Sequence, residues 1–360
     1  MLIALTEGLP PIAEALDCDD VRGPRSFFGE SAEPPRPIGA VELCDGCVLK
    51  APTGRHACAG WSVLWRGAEA VGPGASAAAG RPGRAASPDS VESGRLAGYP
   101  LDVPSLTYLA GRSVSSFSLA WRLHQDDLLP EWGAVLCSCQ TQGRGRLRRS
   151  WHSPRGNLHA TFRLPADPAF RGDAAALITG LLCVLALRKL GFPLSLKWPN
   201  DLLLEGQGKV GGILLEERDG VLLAGLGLNL AERPDAASVR KDSATPAAVL
   251  LPPGGYAPGS PDAYAQSPEE PLAPFPLWRL MAAEMLLAYE NAIRGKALAA
   301  LFERLEGFLA WKGQRVRVVD ASEPPVRGSF LGLGPGGGLS LRLDSGSLCE
   351  YFSGSLSLEP

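Results

Sequence analysis

The stretch LSLKWPNDLLLEGQGKVGGILLEERDGVLLAGLGLNL, residues 194–230, decides how this chain folds. Short apolar runs alternate in it with turn signals, a pattern that reads as four consecutive strands. Residues 194–198 form the first, Pro199 and Asn200 make a bend, and residues 201–205 form the second. After a turn at Gly206-Gln207-Gly208 comes the strand 209–217. Asp219-Gly220, a strong two-residue turn signal, joins it to 221–230 as a hairpin. With Arg218 opposite Val221, Gly212 falls opposite Gly227, Leu214 opposite Gly225 and Val210 opposite Asn229. Side chains two apart share a face, so Gly212, Gly225 and Gly227 gather on one side with Asn229 nearby. Glycine weakens a strand unless something approaches closely. The face therefore reads as a floor cleared for a flat ligand, or else as a tight sheet–helix contact. Lys197 ends a hydrophobic strand where alternation favours an apolar residue. Lysine is rarely buried without a partner, so Lys197 is expected to point into a polar pocket. Lys209 opens the hairpin strand beside the glycines, although either lysine alone also fits a plain strand end.

Upstream, residues 140–157 read QTQGRGRLRRSWHSPRGN, with Arg144, Arg146, Arg148, Arg149 and Arg155 set among Gly143, Gly145 and Gly156. Glycines let a backbone come close to a ligand, and guanidinium forks take phosphate or carboxylate oxygens in pairs. Such a loop suits a polyanionic small molecule, a nucleic-acid backbone, or simply solvent. The whole chain of 360 residues has a net charge of −3, so the cluster is local, whereas a dedicated DNA binder carries a broad basic excess.

The length allows two or three domains. The eight cysteines show no compact framework spacing, and the first twenty residues lack a basic region followed by a long apolar one, so a reducing cytoplasm is expected. The longest apolar run, 174–187, is too short to span a bilayer and reads as a buried helix continuing to about residue 190, stopped by Gly191 and Pro193. Residues 1–105 are rich in Pro, Gly and Ala, with a linker-like run at 71–90. Within them Cys44, Cys47, His56 and Cys58 make a weak tetrahedral zinc pattern, and no helix-turn-helix pattern is evident. Residues 113–123 read as a helix opened by hydroxyl caps, 134–139 and 158–164 as strands, 251–276 as a Pro/Gly-rich surface insertion, and 277–293 and 297–311 as amphipathic helices. From Gly313 short strands alternate with Gly turns, as in a small β-barrel or sandwich.

GRGRLRRSWHSPRGNL, KWPNDLLL, GKVGGILLE and GLGLN stand in the order and rough spacing seen in the biotin protein ligases, and the chain resembles that family over about residues 109–359. The resemblance implies an α+β fold with a central, mostly antiparallel sheet of the class II synthetase and biotin–lipoate ligase type. A catalytic domain would cover 106–311, and an SH3-like barrel 312–360. It implies a two-step reaction. Biotin and ATP, with Mg²⁺, give biotinyl-5′-AMP and pyrophosphate, and a lysine of a biotin carboxyl-carrier domain, as in acetyl-CoA carboxylase, then takes the biotinyl group. By motif, Lys197 and Arg146 are the implied catalytic residues. Ser115, Ser116, Phe117, Gln140, Arg144, Gly145, Arg146, Lys197 and Gly212 would bind biotin, with Gly211 beside Gly212 in the floor. Arg144, Arg146, Arg149, Trp151, Lys209 and Asn229 would bind ATP or the adenylate.

Three positions depart from the family pattern. Phe117 replaces an asparagine. Arg148 stands where the loop has a third glycine, and an arginine takes positive φ less cheaply, so loop closure is expected to differ. Leu147 stands where some members have arginine. The rival readings are a lipoate–protein ligase of the same superfamily, a biotin-responsive DNA-binding regulator, and a binding module without activity. No membrane partner is expected, and a homodimer is compatible with the resemblance.

Overall fold

The computed structural model describes residues 2–7, 41–43, 107–235, 245–251, 272–319 and 324–359. The proposed zinc ligands Cys44, Cys47, His56 and Cys58, the 71–90 run and residues 252–271 of the expected insertion lie outside these. Among the described residues, a mixed sheet carries nine strands: β1 (Leu2–Glu7), β2 (Val41–Leu43), β3 (Thr107–Ser113), β4 (Ala134–Gln140), β5 (Leu158–Arg163), β6 (Leu194–Lys197), β7 (Asp201–Leu204), β8 (Gly208–Arg218) and β9 (Val221–Leu228), in the order β2-β1-β3-β4-β5-β9-β8-β7-β6. The pairs from β4 to β6 are antiparallel, while β2, β1, β3 and β4 pair in parallel. The sheet is thus mostly antiparallel, as expected, with a parallel flank to which two short strands from the first 43 residues contribute.

The β8–β9 register is the one the Asp219-Gly220 turn dictates. Arg218 pairs with Val221, Leu214 with Gly225 and Gly212 with Gly227, and the Asn229 amide donates to the Val210 carbonyl at 2.8 Å. The helix α1 (Ser116–Gln125) starts later than the expected residue 113, because Thr107–Ser113 is a largely buried strand. Ser115 is extended, with φ −161° and ψ 143°, and its carbonyl accepts from the Ser118 amide. A hydroxyl-rich run here spans a strand end and a cap, an ambiguity that periodicity alone does not resolve.

The helix α2 (Ala174–Lys189) is apolar on almost every side, packs between the sheet and α3 (Pro274–Ala288), and ends at Gly191, φ 91°. Helix α3 begins inside the segment read as insertion, because proline is welcome in a first helical turn. It gives way to a π-turn at Tyr289–Ile293. The last helix, α4 (Leu298–Glu306), is shorter than expected and stops at Gly307. Then β10 (Arg315–Val319), β11 (Val326–Leu333), β12 (Leu339–Arg342), β13 (Leu348–Tyr351) and β14 (Ser355–Leu358) form a second, antiparallel sheet in the order β13-β12-β11-β10-β14.

This second sheet is not a loose appendage. Val316, Val318, Phe330, Leu339, Leu341 and Leu356 belong to the same continuous core as α2 and the large sheet. The Trp198 indole, at the end of β6, donates to the Gly337 carbonyl in the β11–β12 turn at 3.3 Å. Among the described residues no helix is long and apolar enough to cross a membrane, and Cys137, Cys139, Cys183 and Cys349 are in no disulfide.

Helix α2 approaches β6 closely at Gly180, where a Cβ would lie 2.7 Å from both methyl carbons of Leu196. Forcing extra methyl groups into such a contact costs about 1–3 kcal/mol. Gly180→Val should lower the urea midpoint accordingly with an unchanged slope. An unshifted midpoint would show that β6 yields freely.

Candidate active site

The sheet, the 140–157 loop and the second sheet enclose a cavity of roughly 470 Å³. Its floor is the face of β5, β9 and β8 that carries His159, Thr161, Gly225, Gly227, Gly212 and Leu214, since directly opposed residues of an antiparallel pair share a face. The three glycines are there because aromatic rings lie on them. A Cβ on Gly227 would sit 2.5 Å from Nε1 of Trp151, and one on Gly225 would sit 2.6 Å from Cζ of Phe117. At Gly225 the close approach is a sheet–helix contact, with Phe117 of α1, and over Gly212 and Gly227 the space is taken by Trp151 of the loop. Gly211 faces the other way, toward Leu228 and Leu202.

The polar end is organised by Asp201. The tight bend after Lys197 makes Lys197 and Asp201 cross-strand partners, and β8 returns Lys209 to the same place. One Asp201 oxygen lies 3.0 Å from Lys197 Nζ and the other 2.6 Å from Lys209 Nζ. Lys197 is 5% exposed and also donates to Thr245 Oγ1 at 3.0 Å, with the Trp311 ring 5.5 Å away. Lys209 sits 5.4 Å from the Trp151 ring. Burial lowers the pKa of Lys197, an effect Asp201 opposes. Burial pushes the Asp201 carboxyl up, but Lys209 and Lys197 outweigh it and hold the group below the usual carboxylate range. The Asp201 carboxylate thus supports the charge of Lys197 in this dry setting.

Arg146 completes the cluster. It donates to Asn200 Oδ1 at 3.1 Å, and Asn200 is fixed in turn by donating to the Ile213 carbonyl at 2.6 Å. Burial lowers the pKa of Arg146 most, and Arg149 adds to this against the pull of Asp201; a guanidinium still keeps its charge. Arg144 lines the cavity but spends its guanidinium on Glu216 (2.7 Å) and Ser118 (3.0 Å). Arg144, Arg146, Arg149, Lys197 and Lys209 line the cavity against a single carboxylate, Asp201, so the unfilled demand is for anion.

The loop itself is a pinned hairpin. Trp151 donates to the Gly143 carbonyl and Gly145 to that of Arg149, each at 2.8 Å. At its exit, Asn157 Oδ1 accepts from the amides of Leu230, Ala231 and Glu232, tying the loop to the end of β9. The expected cost at Arg148 falls elsewhere: the left-handed residue is Leu147, φ 56° and ψ 38°, inside the 3₁₀ turn Arg146–Arg148. The turn needs one positive φ, and the backbone puts it one residue earlier than the missing glycine.

At the other end, Gln140 Oε1 accepts from the Ser116 amide (2.7 Å) and hydroxyl (3.1 Å), Gln140 Nε2 donates to Ser153 Oγ at 3.0 Å, and Ser116 Oγ lies 2.7 Å from Thr161 Oγ1. Of the residues expected at the site, Ser116, Phe117, Gln140, Arg144, Gly145, Arg146, Arg149, Trp151, Lys197, Lys209 and Gly212 line this one cavity. Ser115 and Asn229 do not. Ser115 stands at the N-cap of α1, where its hydroxyl makes no capping hydrogen bond, contrary to the expected hydroxyl cap, and Asn229 is buried with its side chain on the Ala248 carbonyl at 3.1 Å. Reasoning from sequence missed Asp201, Asn200, His159 and Thr245, as well as Gly354, Ser355 and Leu356, which bring the second sheet to the cavity. Asp201 was findable, being the acid of KWPND one tight bend from Lys197. Thr245 and the 354–356 segment carry no local signal.

Residues 111–230 match the model of the biotin/lipoate A/B protein ligase family. The chain is 39% identical over 124 residues to a biotin–[acetyl-CoA-carboxylase] ligase of Paracoccus denitrificans, covering 32% of this chain and 51% of that protein. It is 38% identical over 109 residues to the bifunctional ligase/repressor BirA of Escherichia coli, covering 28% and 33%. The chain thus spans about half or less of the length of these relatives. In fold it is similar to the biotin protein ligase of Aquifex aeolicus solved with biotin and ATP, with a TM-score of 0.51 and 24% identity over 70% of this chain and 98% of that one.

Removing the Asp201 charge should leave Lys197 buried without compensation. Breaking a buried pair on one side costs about 3–5 kcal/mol, so Asp201→Asn should lower the unfolding free energy by that order. Because the folded carboxyl titrates below its ordinary value of 3.8, its stabilisation is complete above that value and is lost as pH falls through the lower folded one. Acid titration of unfolding should show this loss in the unsubstituted chain and not in Asp201→Asn.

Proposed function

We propose that the chain is an ATP-dependent biotin protein ligase, a biotin–[biotin carboxyl-carrier protein] ligase. It would condense biotin with ATP to biotinyl-5′-AMP and pyrophosphate, then pass the biotinyl group to a carrier-domain lysine. The observation that carries this reading is the joint placement of Lys197, Lys209 and Arg146 around Asp201 at one end of a glycine-floored cavity. Joining a carboxylate to the α-phosphorus of ATP brings two anions together, and fixed cations in a dry site stabilise that encounter strongly. Lys197 Nζ, held by Asp201 and Thr245, is the group to stand between carboxylate and α-phosphate, with Arg146 beside it. Alignment of the two reactants supplies much of the remaining acceleration. Trp151 and Phe117, lying on the floor, would exclude water from the mixed anhydride.

Both oxygens of Asp201 are taken by lysines, and no group of three ligating His, Cys, Asp or Glu side chains occurs among the described residues. The described residues thus offer no carboxylate cage, and we keep Mg²⁺ as the counter-ion that ATP carries. Residues 106–311 would form the catalytic domain and 312–360 an SH3-like barrel, acting in a reducing cytoplasm. The family description also names lipoate ligases, so lipoate in place of biotin is the second reading.

The test is biotin-dependent exchange of labelled pyrophosphate into ATP, run beside the same assay with lipoate. Lys197→Ala should lower the exchange rate by about a hundredfold or more while the chain stays folded, because Lys209 still compensates Asp201. Exchange that needs lipoate and ignores biotin, or survives in Lys197→Ala, would overturn the assignment.

A further inference from the structure

Arg144 lines the cavity, yet its guanidinium is bonded to two groups outside the cavity lining. Nη1 donates to Glu216 Oε1 at 2.7 Å and Nη2 to Ser118 Oγ, on α1, at 3.0 Å. Glu216 lies two residues beyond Leu214 on β8 and so shares the floor face. Its carboxylate is held independently of the loop. Oε2 accepts from the indole of Trp121, a buried residue of α1, at 2.9 Å and lies 3.4 Å from Arg218 Nη2. The Arg218 guanidinium in turn covers the Trp121 ring at 4.5 Å. One carboxylate oxygen is thus spent on α1 and the strand end, and the other takes Arg144. Backbone bonds to the Ser113 and Val114 carbonyls carry the loop's entry as far as Gln142. From there to Arg146 it is the Arg144 side chain that ties the hairpin to the rest of the fold. Arg144 also bridges to Ser150 within that hairpin, beside Trp151. Next comes the 3₁₀ turn with Leu147 in the left-handed region. Leu147 is 59% exposed, so its own packing does not hold the turn. Such a backbone persists only where its surroundings over-determine it.

We propose that Arg144 is a positioning residue for the ligase reaction and Glu216 its anchor, the pair clamping the arginine loop to β8 and α1 so that Arg146 is presented to the two anions. The inference rests on the ligase reading and deepens it. It also moves Arg144 from ligand binding, where the resemblance puts it, to the support of its neighbour. The two arginines are two residues apart and differently placed. Arg146 donates to one neutral partner, Asn200, and keeps its charge in reserve. Arg144 has a carboxylate and a hydroxyl already, and an anionic ligand gains it only by displacing Glu216. A partly exposed ion pair adds little to global stability, so the worth of this one lies in what it places. A guanidinium fork on two partners from different elements fixes direction as well as distance.

The experiment is a double-mutant cycle between Arg144→Met and Glu216→Gln, read as kcat and as KM for biotin and ATP in pyrophosphate exchange. Glu216→Gln keeps the shape of the anchor but turns one of its two acceptors into a donor facing donors. Each single substitution should lower kcat by roughly 10- to 100-fold, the cost of displacing a catalytic group by about 1 Å. Both KM values should stay within about threefold, and the urea midpoint should not move. The double variant should lose no more than the worse single one, because both substitutions break the same contact. Losses that multiply in the double variant, that fall on KM instead of kcat, or that track a lowered urea midpoint would overturn the clamp. Should Arg144→Met not fold, Glu216→Gln decides alone. Glu216 lies outside the cavity lining, so a fall in its kcat at constant KM supports the clamp and an unchanged kcat sinks it. If the unsubstituted chain shows no biotin-dependent exchange, the ligase reading itself fails and takes this one with it. Exchange that is intact in the unsubstituted chain and in Glu216→Gln alike removes the clamp and leaves the ligase reading standing.

Discussion

The contact on which the site depends is the bifurcated pairing of Asp201 with Lys197 and Lys209. An ammonium as buried as that of Lys197 is driven to lose its proton unless a counter-charge stands beside it. The carboxylate answers that demand, and because two lysines share it, the group still carries a net positive charge. Neutralising each cation separately would have left nothing to attract an anion. The geometry follows from the sheet. A bend of three residues, Trp198, Pro199 and Asn200, brings Lys197 and Asp201 face to face across β6 and β7, and the bulge in the β7–β8 pairing after Leu202 sets Lys209 beside them.

The rest of the cavity supplies what a charge cluster lacks, namely shape and dryness. Three glycines on β8 and β9 remove the side chains that would fill the floor, and the rings of Trp151 and Phe117 settle into the space. Trp151 belongs to the loop that carries the arginines, so the position of the loop and the cover of the floor are one structural fact. Asn157 fastens the loop's far end with three accepted amide bonds. Arg144 binds Glu216, to which the Trp121 indole also donates at 2.9 Å. Entry of an anionic ligand therefore competes with an existing ion pair at Arg144, while Arg146 and the lysines have charge to spare.

The second sheet acts as a wall rather than as a separate body. Its core residues are continuous with those around α2, and the 354–356 segment reaches the cavity. Trp198 is the first residue of the bend that places Asp201, and its indole is bonded to the Gly337 carbonyl of that sheet. Displacing the second sheet would thus loosen the support of the charge cluster as well as open the cavity.

What the sequence determined by itself was whatever local chemistry dictates. The Asp219-Gly220 turn set the β8–β9 register, that register set the face on which the glycines gather, and the strand-end Lys197 announced a polar pocket. The five C-terminal strands and the largely apolar α2 were legible for the same reason, a short-range pattern with one physical interpretation. Tertiary structure decided what depends on distant partners. Phe117 read as a lost polar contact until the fold laid it on Gly225. Asn229 read as a site residue until the 245–250 segment claimed its amide. Arg148 was charged with a strain that the backbone moved to Leu147, since which residue of a turn takes positive φ depends on where the turn is pinned. The Nδ1 of His159, buried and without a partner among the described residues, is the plainest case, because a hydrogen bond left unmade exists only relative to every group that folding has, or has not, brought within reach.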